Sequence, residues 1–397
     1  MLHDPETDVL DLTRRLVAVD SQNPGSEEQE IADLVEHEVA RPAGFSVRRV
    51  EVTPGRPNLI VSVENGTGPH LALSGHLDTK PVGEARAEWD TDPFDLTVND
   101  GIAYGLGSTD MKGAVSAMLV ALQRQAADGP TGRVSLVLTA DEEQGSDAGA
   151  KALAELDLPD ADAIVIGEPS GIDDPWEMMA LVSRGICCFE ITVRTVQGHS
   201  GLSHRLGRNA VLVAADVLHA LESFAPPIET PGAVAAEPTV NPGILVSGGV
   251  AFGTSPGECT VGCEIRLVPG MDRDKVQAAI EQAVADAVGA TARFDIAYLD
   301  GSMGWMPAVE LDPRADIVTA AQAACREVLG RELPVRAYPG GTDATYFMGQ
   351  AGIPTISSLG PGWLSVAHGA NEKVAVADLH TAVDLYQHLM AEFLRSA

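Results

Sequence analysis

The sequence is poor in aromatic residues, cysteine and basic residues, and it has no long apolar run. Phe, Trp and Tyr make up 4% of the 397 residues, so the core must be built mainly from aliphatic side chains. The five cysteines are an odd number without a C-x-x-C pair, which argues against a disulfide scaffold and against a thiolate zinc site. No segment approaches the roughly 18 consecutive apolar residues of a membrane-spanning helix.

Basic residues are too few to favour binding to nucleic acid. The chain has 26 Lys and Arg against 57 Asp and Glu, a formal net charge of −31. Such a charge repels phosphate backbones and anionic lipid surfaces. Residues 1–6 lack the basic start and the apolar stretch of a signal peptide. We therefore predict a cytoplasmic protein that binds neither nucleic acid nor membrane.

The sequence does contain many aliphatic residues in strand and helix patterns. Hydrophobic residues make up 45% of the chain, and its length predicts two domains. Apolar strands alternate with helices in the first part, as in an α/β domain with a mostly parallel, twisted sheet. From 182 to 299 the order becomes strand, helix, strand, strand, helix, strand, which is typical of a smaller α+β, ferredoxin-like domain. We therefore predict a domain over 1–181 that resumes over 300–397, with the second domain inserted.

Polar residues follow several of the predicted strands. His76 and Asp78 come at the end of an apolar strand, where alternate side chains point the same way. The carboxyl ends of the strands are where open α/β sheets bind ligands. A capped turn with a hydrogen-bonded histidine is the structural alternative for this pair.

Acidic residues recur in comparable positions downstream. Asp110 lies between two glycines, where one carboxylate can bridge two cations, although it can equally be the N-cap of the next helix. Glu142 and Glu143 follow another apolar strand. Because successive side chains point in different directions, one can bind metal while the other acts as general base. Two solvated surface glutamates are the alternative.

Glu168 and His368 complete a set of possible metal ligands. Glu168 leaves a buried-looking strand into a proline turn, where a surface turn is the alternative, and His368 follows a Gly/Pro-rich segment. Imidazole and carboxylate are the ligands that zinc accepts outside thiolate sites, and two ions about 3.5 to 4 Å apart need roughly five side chains, one of them shared. The sequence therefore contains the ligands of a two-metal hydrolase.

Together, these segments resemble the dinuclear zinc aminoacylase and carboxypeptidase family, which includes acetylornithine deacetylase, succinyl-diaminopimelate desuccinylase and glutamate carboxypeptidase. The resemblance covers essentially all of the chain. The segments that carry it are SGHLDT at 74–79, DMKG at 110–113, EE at 142–143, GEPS at 167–170 and AHGANE at 367–372.

The resemblance implies where two zinc ions per subunit bind. One ion would be held by His76 and Glu168, and the other by Glu143 and His368. Asp110 would bridge the two ions. Cobalt or manganese are possible substitutes, because oxygen and nitrogen ligands tolerate several divalent ions.

The resemblance also implies catalytic roles and an assembly. Glu142 would be the general base, and Asp78 would orient His76 as its hydrogen-bond partner. The inserted domain would act as a dimerisation and lid domain of a homodimer. His199, at the end of its first strand, would reach the partner subunit's active site and stabilise the oxyanion.

The substrate would be held by its carboxylate. The resemblance assigns this role to Arg266 and to the loop with Gly341 and Thr342, and a guanidinium group suits a carboxylate. We therefore predict an amidohydrolase that removes an acyl group from a small N-acyl amino acid, as in acetylornithine deacetylase or succinyl-diaminopimelate desuccinylase. A zinc carboxypeptidase or dipeptidase that cleaves small peptides is the alternative. A non-catalytic binding protein is a weaker hypothesis, because no ligand and no base is missing.

Overall fold

The computed structural model describes residues 9–125 and 130–396, which form two compact units. The first unit comprises the chain up to Ser183 together with Glu310–Tyr338 and the chain from Thr342 onward. The second comprises Arg184–Val309 and Pro339–Gly341. It extends beyond residue 299, where the sequence predicts the end of the insertion, because the main chains of Ile186 and Met306 exchange hydrogen bonds of 2.9 Å.

A six-stranded sheet forms the centre of the first unit. Its strands, in spatial order, are Ser46–Thr53, Arg56–Asn65, Gly132–Thr139, His70–His76, Ala163–Ile166 and Thr355–Ile356. The last four run parallel to one another, whereas the first two pairings are antiparallel. The sheet is therefore mixed, and the prediction of a mostly parallel sheet holds for only part of it.

The antiparallel part of the sheet begins with a tight hairpin. The first two strands are joined by Pro54 and Gly55 alone, and Gly55 has a φ of +81°. So short a connection permits only antiparallel pairing, since a parallel crossover needs a dozen or more residues. The turn therefore determines the direction of the second strand, which then pairs antiparallel with Gly132–Thr139.

The parallel strands are buried almost throughout. All seven residues of His70–His76 and all four of Ala163–Ile166 are buried. Strands covered on both faces consist of nearly continuous apolar residues, as these do. Their carboxyl ends lie at one edge of the sheet and carry the residues described below.

Helices and short elements complete the first unit. Its longest helix, Val376–Ser396, packs against Lys112–Gln125 and Asp316–Leu329. The other helical segments are Val9–Val17, Gln29–Asp33, the π-helical Leu34–Ala40, Ala150–Glu155 and Ala344–Gly349. Short strands lie at Thr97–Asn99, Ile102–Tyr104, Pro169–Gly171, Met179–Ser183, Val335–Ala337, Gly360–Trp363 and Lys373–Ala375, and 3₁₀ turns at Gly83–Glu88, Glu142–Gln144 and Leu364–Val366. The strand Val309–Glu310 lies at the boundary of the two units.

The second unit has the strand and helix order that the sequence predicts. Its elements in chain order are strand Gly185–Arg194, helix Ala210–Glu222, strands Thr239–Gly248 and Glu258–Leu267, helix Arg273–Val288 and strand Arg293–Tyr298. The sheet is antiparallel, and Gly185–Arg194 and Glu258–Leu267 are its central strands. Minor elements are Gly198–His199, Ser200–Leu202, Ser203–Leu206, Thr254–Ser255, Gly289–Thr291 and Gly301–Gly304.

Side chains from both helices and the sheet form the core of the second unit. Phe189 and Ile265 from the sheet and Val217 and Ile280 from the two helices are among its buried residues. The helices therefore cover one face of the sheet. All five cysteines of the chain are free and buried. Within the described residues, no helix is long and apolar enough to cross a membrane.

Candidate metal centre

Three adjacent parallel strands bring their polar ends together. His76 is the last residue of the central strand of the three, and it pairs with Thr139 of one neighbour. Glu142 and Glu143 follow that neighbour, and Glu168 follows the strand on the other side. Sequence-distant residues thus meet because parallel pairing aligns the strand ends.

Asp110 lies between two histidines. Its Oδ1 is 3.0 Å from Nε2 of His76, and its Oδ2 is 3.2 Å from Nε2 of His368. The residue is 6% exposed and immediately precedes the helix Lys112–Gln125. One carboxylate therefore faces both imidazole rings, each through a different oxygen.

A further carboxylate flanks each histidine. Oε1 of Glu168 is 3.6 Å from Nε2 of His76, and Oε2 of Glu143 is 3.3 Å from Nε2 of His368. The structure therefore gathers all five predicted ligands. One histidine and one glutamate lie on each side of Asp110, and the assignment of these residues to two ions stays a prediction.

The ring of His76 is oriented mainly by main chain. Its Nδ1 lies 2.9 Å from the carbonyl oxygen of Asp78, to which it donates, and 3.6 Å from the Asp78 carboxylate. Nε2 therefore faces Asp110 and Glu168; it donates to Asp110 at 3.0 Å when the ring is protonated and offers its lone pair to a cation when the ring is neutral. The hydrogen-bond partner of this ring is thus the main-chain carbonyl of Asp78 and not its carboxylate, and the orienting role of the Asp78 side chain stays a prediction.

The Asp78 carboxylate instead holds the loop with the two glutamates. It accepts the main-chain N–H groups of Glu142 (3.2 Å) and Glu143 (3.1 Å), and Nδ2 of Asn23 donates to it at 2.9 Å. Asp78 and Asn23 are both buried. The carboxylate therefore fixes the main chain from which a metal ligand and the proposed base project.

Glu143 and Glu168 each have an additional partner that the sequence reasoning missed. Lys80 donates to Glu143 through its main-chain N–H and, at 3.1 Å, through Nζ. The hydroxyl group of Tyr338 donates to Oε2 of Glu168 at 3.0 Å. Lys80 lies 63 residues from Glu143, and Tyr338 lies 170 residues from Glu168, so neither pair forms a local sequence motif.

The carboxylates strongly perturb one another. Burial, together with the charge of Asp110, raises the pKa of Glu168 to about 8, although His76 opposes this shift. Burial also raises the pKa of Glu142 well above its usual range, with Glu168 and Asp343 adding to the effect and His76 opposing it. Burial would raise the pKa of Asp110 as well, but hydrogen bonds from His368 and His76 outweigh it and hold that pKa low. The cluster thus favours positive charge beside its carboxylates.

This donor set suits divalent cations. Two groups of side chains lie close enough to share an ion, one with His76, Asp110 and Glu143 and one with His76, Glu142 and Glu168. Asp110 and Glu143 raise the pKa of His368 to about 10 against the effect of burial, so a positive charge is also favoured at its ring. Nitrogen and oxygen donors without thiolate are typical of hydrolytic zinc, cobalt or manganese sites.

The predicted substrate residues have other partners in this structure. In the second unit, exposed His199 accepts the N–H of Gly201 on Nδ1 at 3.1 Å, and Nε of Arg266 donates to Glu264 at 2.7 Å. Gly341 also belongs to this unit. In the first unit, Thr342 is buried, and its N–H donates to Ser183 at 2.9 Å. Their roles in substrate binding stay predictions.

Asp343, the next residue of this loop, is buried and bound by other side chains of the first unit. It is 2% exposed and accepts hydrogen bonds from Thr139 at 2.6 Å and from Ser146 at 2.5 Å. Its negative charge would repel a second carboxylate. Asp343 is therefore bound by the protein itself, and the substrate role of the neighbouring Gly341 and Thr342 stays a prediction.

Known proteins resemble the chain over nearly its whole length. The succinyl-diaminopimelate desuccinylase of Alkalilimnicola ehrlichii is 32% identical over 362 residues, which cover 89% of this chain and 91% of that protein. The enzyme of the same name from Xanthomonas euvesicatoria pv. vesicatoria is 30% identical over 405 residues, with 98% and 99% covered.

Solved structures show the same fold. The M20 family metallo-carboxypeptidase Sso-CP2 from Sulfolobus solfataricus superimposes with a TM-score of 0.78 at 19% identity, over 98% of this chain and 99% of that one. The YXEP protein of Bacillus subtilis, a dinuclear metal binding peptidase from the M20 family, gives a TM-score of 0.69 at 15% identity, with 99% of both chains covered.

The family model completes this comparison. The model described as peptidase family M20/M25/M40 matches residues 72–392, a range that includes all five predicted metal ligands. The resemblance inferred from the motifs is thereby confirmed. The chain belongs to the M20/M25/M40 family of peptidases.

Proposed function

We propose that this protein is a dinuclear metal amidohydrolase that removes an acyl group, with succinyl as the first candidate, from an N-acyl amino acid. The observation that carries the proposal is the position of Asp110, whose two oxygens face His76 and His368 at 3.0 and 3.2 Å. A bridging carboxylate with one histidine and one acid on each side is the arrangement that a two-ion hydrolytic site needs.

The choice of substrate class is supported by the relatives. Two of them, at 32% and 30% identity, are named succinyl-diaminopimelate desuccinylase, and each match extends over most of both chains. The solved peptidases are more distant, at 15% and 19% identity, and share the fold alone. Deacylation of an N-acyl amino acid is therefore favoured over cleavage of peptides. Peptide cleavage is the alternative that the experiment below tests.

The proposed chemistry assigns separate tasks to the two adjacent glutamates. Divalent ions held by His76, Asp110, Glu143, Glu168 and His368 would supply Lewis acidity and activate water. Glu142 takes the proton of the attacking water and later delivers it to the departing amine nitrogen. A carboxyl group suits both steps, because its ionised form accepts the proton of the water and its protonated form donates that proton to the amine.

Substrate recognition is assigned to the residues named by the resemblance. Arg266, Gly341 and Thr342 would bind the substrate carboxylate, and His199 would donate to the oxyanion from a partner subunit. In support, Arg266 keeps about a third of its side chain exposed, and His199 is exposed. Zinc as the bound metal and a cytoplasmic location also belong to this proposal.

The proposed homodimer would form through the second unit. The strand Thr239–Gly248 is an edge strand of its sheet and exposes Ile244, Leu245 and Val246, each by more than half. An apolar edge strand is a ready template for pairing with another chain. Light scattering should give twice the mass of one chain, and a Leu245→Lys variant should give a monomer; a monomeric parent protein would refute the dimer.

The deciding experiment measures metal content and hydrolysis on the same protein. Metal per subunit is determined by plasma emission spectroscopy, and N-succinyl-diaminopimelate, N-acetylornithine and a set of dipeptides are assayed with and without a chelator. We expect about two ions per subunit and chelator-sensitive release of amine from the N-acyl substrates. Turnover of dipeptides alone would favour the peptidase alternative, and the absence of metal and of all turnover would refute the proposal.

A further inference from the structure

The loop that carries Asp110 is held by a buried carboxylate to which no role has been assigned so far. Glu372 is 2% exposed. Its Oε1 accepts the main-chain N–H groups of Thr109 (2.9 Å) and Asp110 (3.0 Å), and its Oε2 accepts that of Gly107 (2.9 Å). Its main-chain carbonyl accepts the N–H of Gly105 at 3.0 Å. A single residue thus binds four N–H groups of one short loop.

These bonds fix the main chain at the residue that faces both histidines. Three main-chain N–H groups of the loop are bound to the two oxygens of one buried side chain. Because Asp110 contacts His76 through one oxygen and His368 through the other, a shift of its main chain alters both distances at once. Glu372 therefore acts on the cluster through the main chain.

Glu372 also ends the segment that supplies His368. In this segment His368 and Asn371 have φ values of 60° and 59°, in the left-handed region that non-glycine residues seldom adopt. Such conformations persist only where the surrounding structure holds them. The next strand, Lys373–Ala375, pairs with Ile102–Tyr104, just before the Asp110 loop. The two loops are thus joined where Glu372 lies.

We propose that Glu372 is a positioning residue that sets the spacing between Asp110 and His368 and thereby the affinity for divalent ions. The inference rests on the proposed function, because that proposal assigns both residues to metal binding. It adds a residue that contacts neither ion nor substrate, and whose removal should weaken metal binding before it affects the fold.

Two substitutions at this position separate the three hydrogen bonds. In Glu372→Gln the side-chain oxygen can keep the bonds from Thr109 and Asp110, but an NH₂ group then faces the N–H of Gly107. In Glu372→Ala all three side-chain bonds are lost.

Zinc ions are titrated into the metal-free, full-length protein in competition with a chromophoric chelator. Because removing the partners that orient metal ligands typically costs about 10- to 100-fold in affinity, we expect a loss of that size for alanine and a smaller loss for glutamine.

A neighbouring residue of the same loop provides the control. The Asn371 side chain accepts the N–H of Asp90 at 2.9 Å and donates to the carbonyl of Glu88 at 3.2 Å, so it ties the loop to another segment. Asn371→Gly removes these bonds, and glycine adopts its φ of 59° without strain. Zinc affinity should be unchanged in this variant. A loss equal to that of Glu372→Ala would overturn the proposal, since general loosening of the loop would then suffice.

The remaining outcomes distinguish this inference from the proposed function. If the parent binds two ions and hydrolyses the N-acyl substrates while both Glu372 variants bind zinc as tightly as the parent, the inference alone fails. If the parent binds no zinc, the proposed function and the inference fail together. If the alanine variant does not fold, the glutamine variant decides, with circular dichroism as the check on its fold.

Discussion

Glu142 and Glu143 are adjacent in sequence, but they differ in their surroundings. Glu143 is buried, with Lys80 and His368 beside it, whereas Glu142 is only half-buried and has a strongly raised pKa. The first environment favours a permanent charge that binds a cation. The second favours a group that exchanges a proton.

The Glu142→Gln variant should separate these roles, because glutamine keeps the shape of the side chain but cannot accept the proton. We expect kcat to fall about 10²- to 10⁴-fold, the usual contribution of general acid–base catalysis, with the metal content unchanged. The matched Glu143→Gln variant should lose metal instead. Near-parental turnover in metal-loaded Glu142→Gln would exclude this residue as the base.

Asp78 provides the second test at this scale. Asp78→Asn replaces one acceptor oxygen with a donor, so one of the amide bonds to Glu142 and Glu143 is lost. We expect metal affinity and kcat to fall about 10- to 100-fold. Ser21→Ala is the control, because it removes a buried hydrogen bond of 2.7 Å to the neighbouring Leu77 carbonyl without touching the glutamate loop. Equal losses of metal in both variants would contradict a specific role for Asp78.

The clustering of the five candidate metal ligands could be predicted from sequence because each lies in a short local pattern. His76 and Glu168 follow apolar strands, and Asp110 lies between glycines. Their helpers could not be predicted, since an isolated Tyr338 or Asn23 has no local signal. Tyr338 bonds to Glu168 and Asn23 bonds to Asp78, over separations of 170 and 55 residues. These contacts therefore depend on the tertiary arrangement of distant segments.

At the scale of elements, the start of the helix Lys112–Gln125 shows how closely the metal loop is packed. A Cβ atom on Gly113 would lie 2.3 Å from the main-chain oxygen of Ser108. Alanine within a helix normally gains about 1 kcal/mol over glycine. At Gly113 the steric overlap of the new methyl group with the Ser108 oxygen outweighs this gain. Overpacking typically costs about 1 to 3 kcal/mol, and a main-chain oxygen cannot rotate away.

Gly113→Ala should therefore lower the free energy of unfolding by about 1 to 2 kcal/mol and reduce the zinc content, since the loop with Asp110 must shift. Urea unfolding and metal analysis measure the two effects. In the control Gly369→Ala, the nearest atom to the new methyl group lies at 3.8 Å, so both quantities should stay at the parental level. A stabilised Gly113→Ala variant would show that the loop has room to move.

Some elements differ from their sequence-based prediction for identifiable reasons. The edge strand of the second unit runs over Thr239–Gly248 and so includes Pro242, a residue type that sequence reasoning alone would place outside a strand. Pro242 interrupts the pattern, but an edge strand accommodates proline where the pairing register shifts, as it does between Pro242 and Leu245. Apolar periodicity predicted which segments are strands, whereas pairing direction and such irregularities depend on tertiary structure.

At the scale of the whole molecule, buried acids link stability to pH. Burial, with a contribution from Asp78, raises the pKa of Glu28 from 4.5 to about 7 against the effect of Arg56. The folded state therefore binds this proton more tightly than the unfolded state. The contribution of Glu28 to the free energy of unfolding is fully present below pH 4.5. It is lost as the pH rises from 4.5 to about 7, and it is absent at higher pH. The shift corresponds to a loss on the order of 3 kcal/mol.

Glu28→Gln should remove this part of the pH dependence, because glutamine does not titrate. The measurement is urea unfolding of the metal-free protein at pH 5, 6, 7 and 8. It is made at high salt, which screens the surface repulsion expected from a net charge of −31. The exposed neighbour provides the control, since Glu27→Gln should unfold with the parental slope. A parental slope in Glu28→Gln would assign the effect to other acids.

The bond between Glu372 and the Asp110 main chain joins residues 262 positions apart. Ribosomes add about 5 to 20 residues per second, so Glu372 is synthesised about 10 to 50 s after the loop that it holds. During this interval the segment Arg184–Val309 of the second unit is completed. The metal cluster is therefore among the last parts of the molecule to assemble, and a nascent chain released before residue 372 would carry Asp110 on a loop without its anchor.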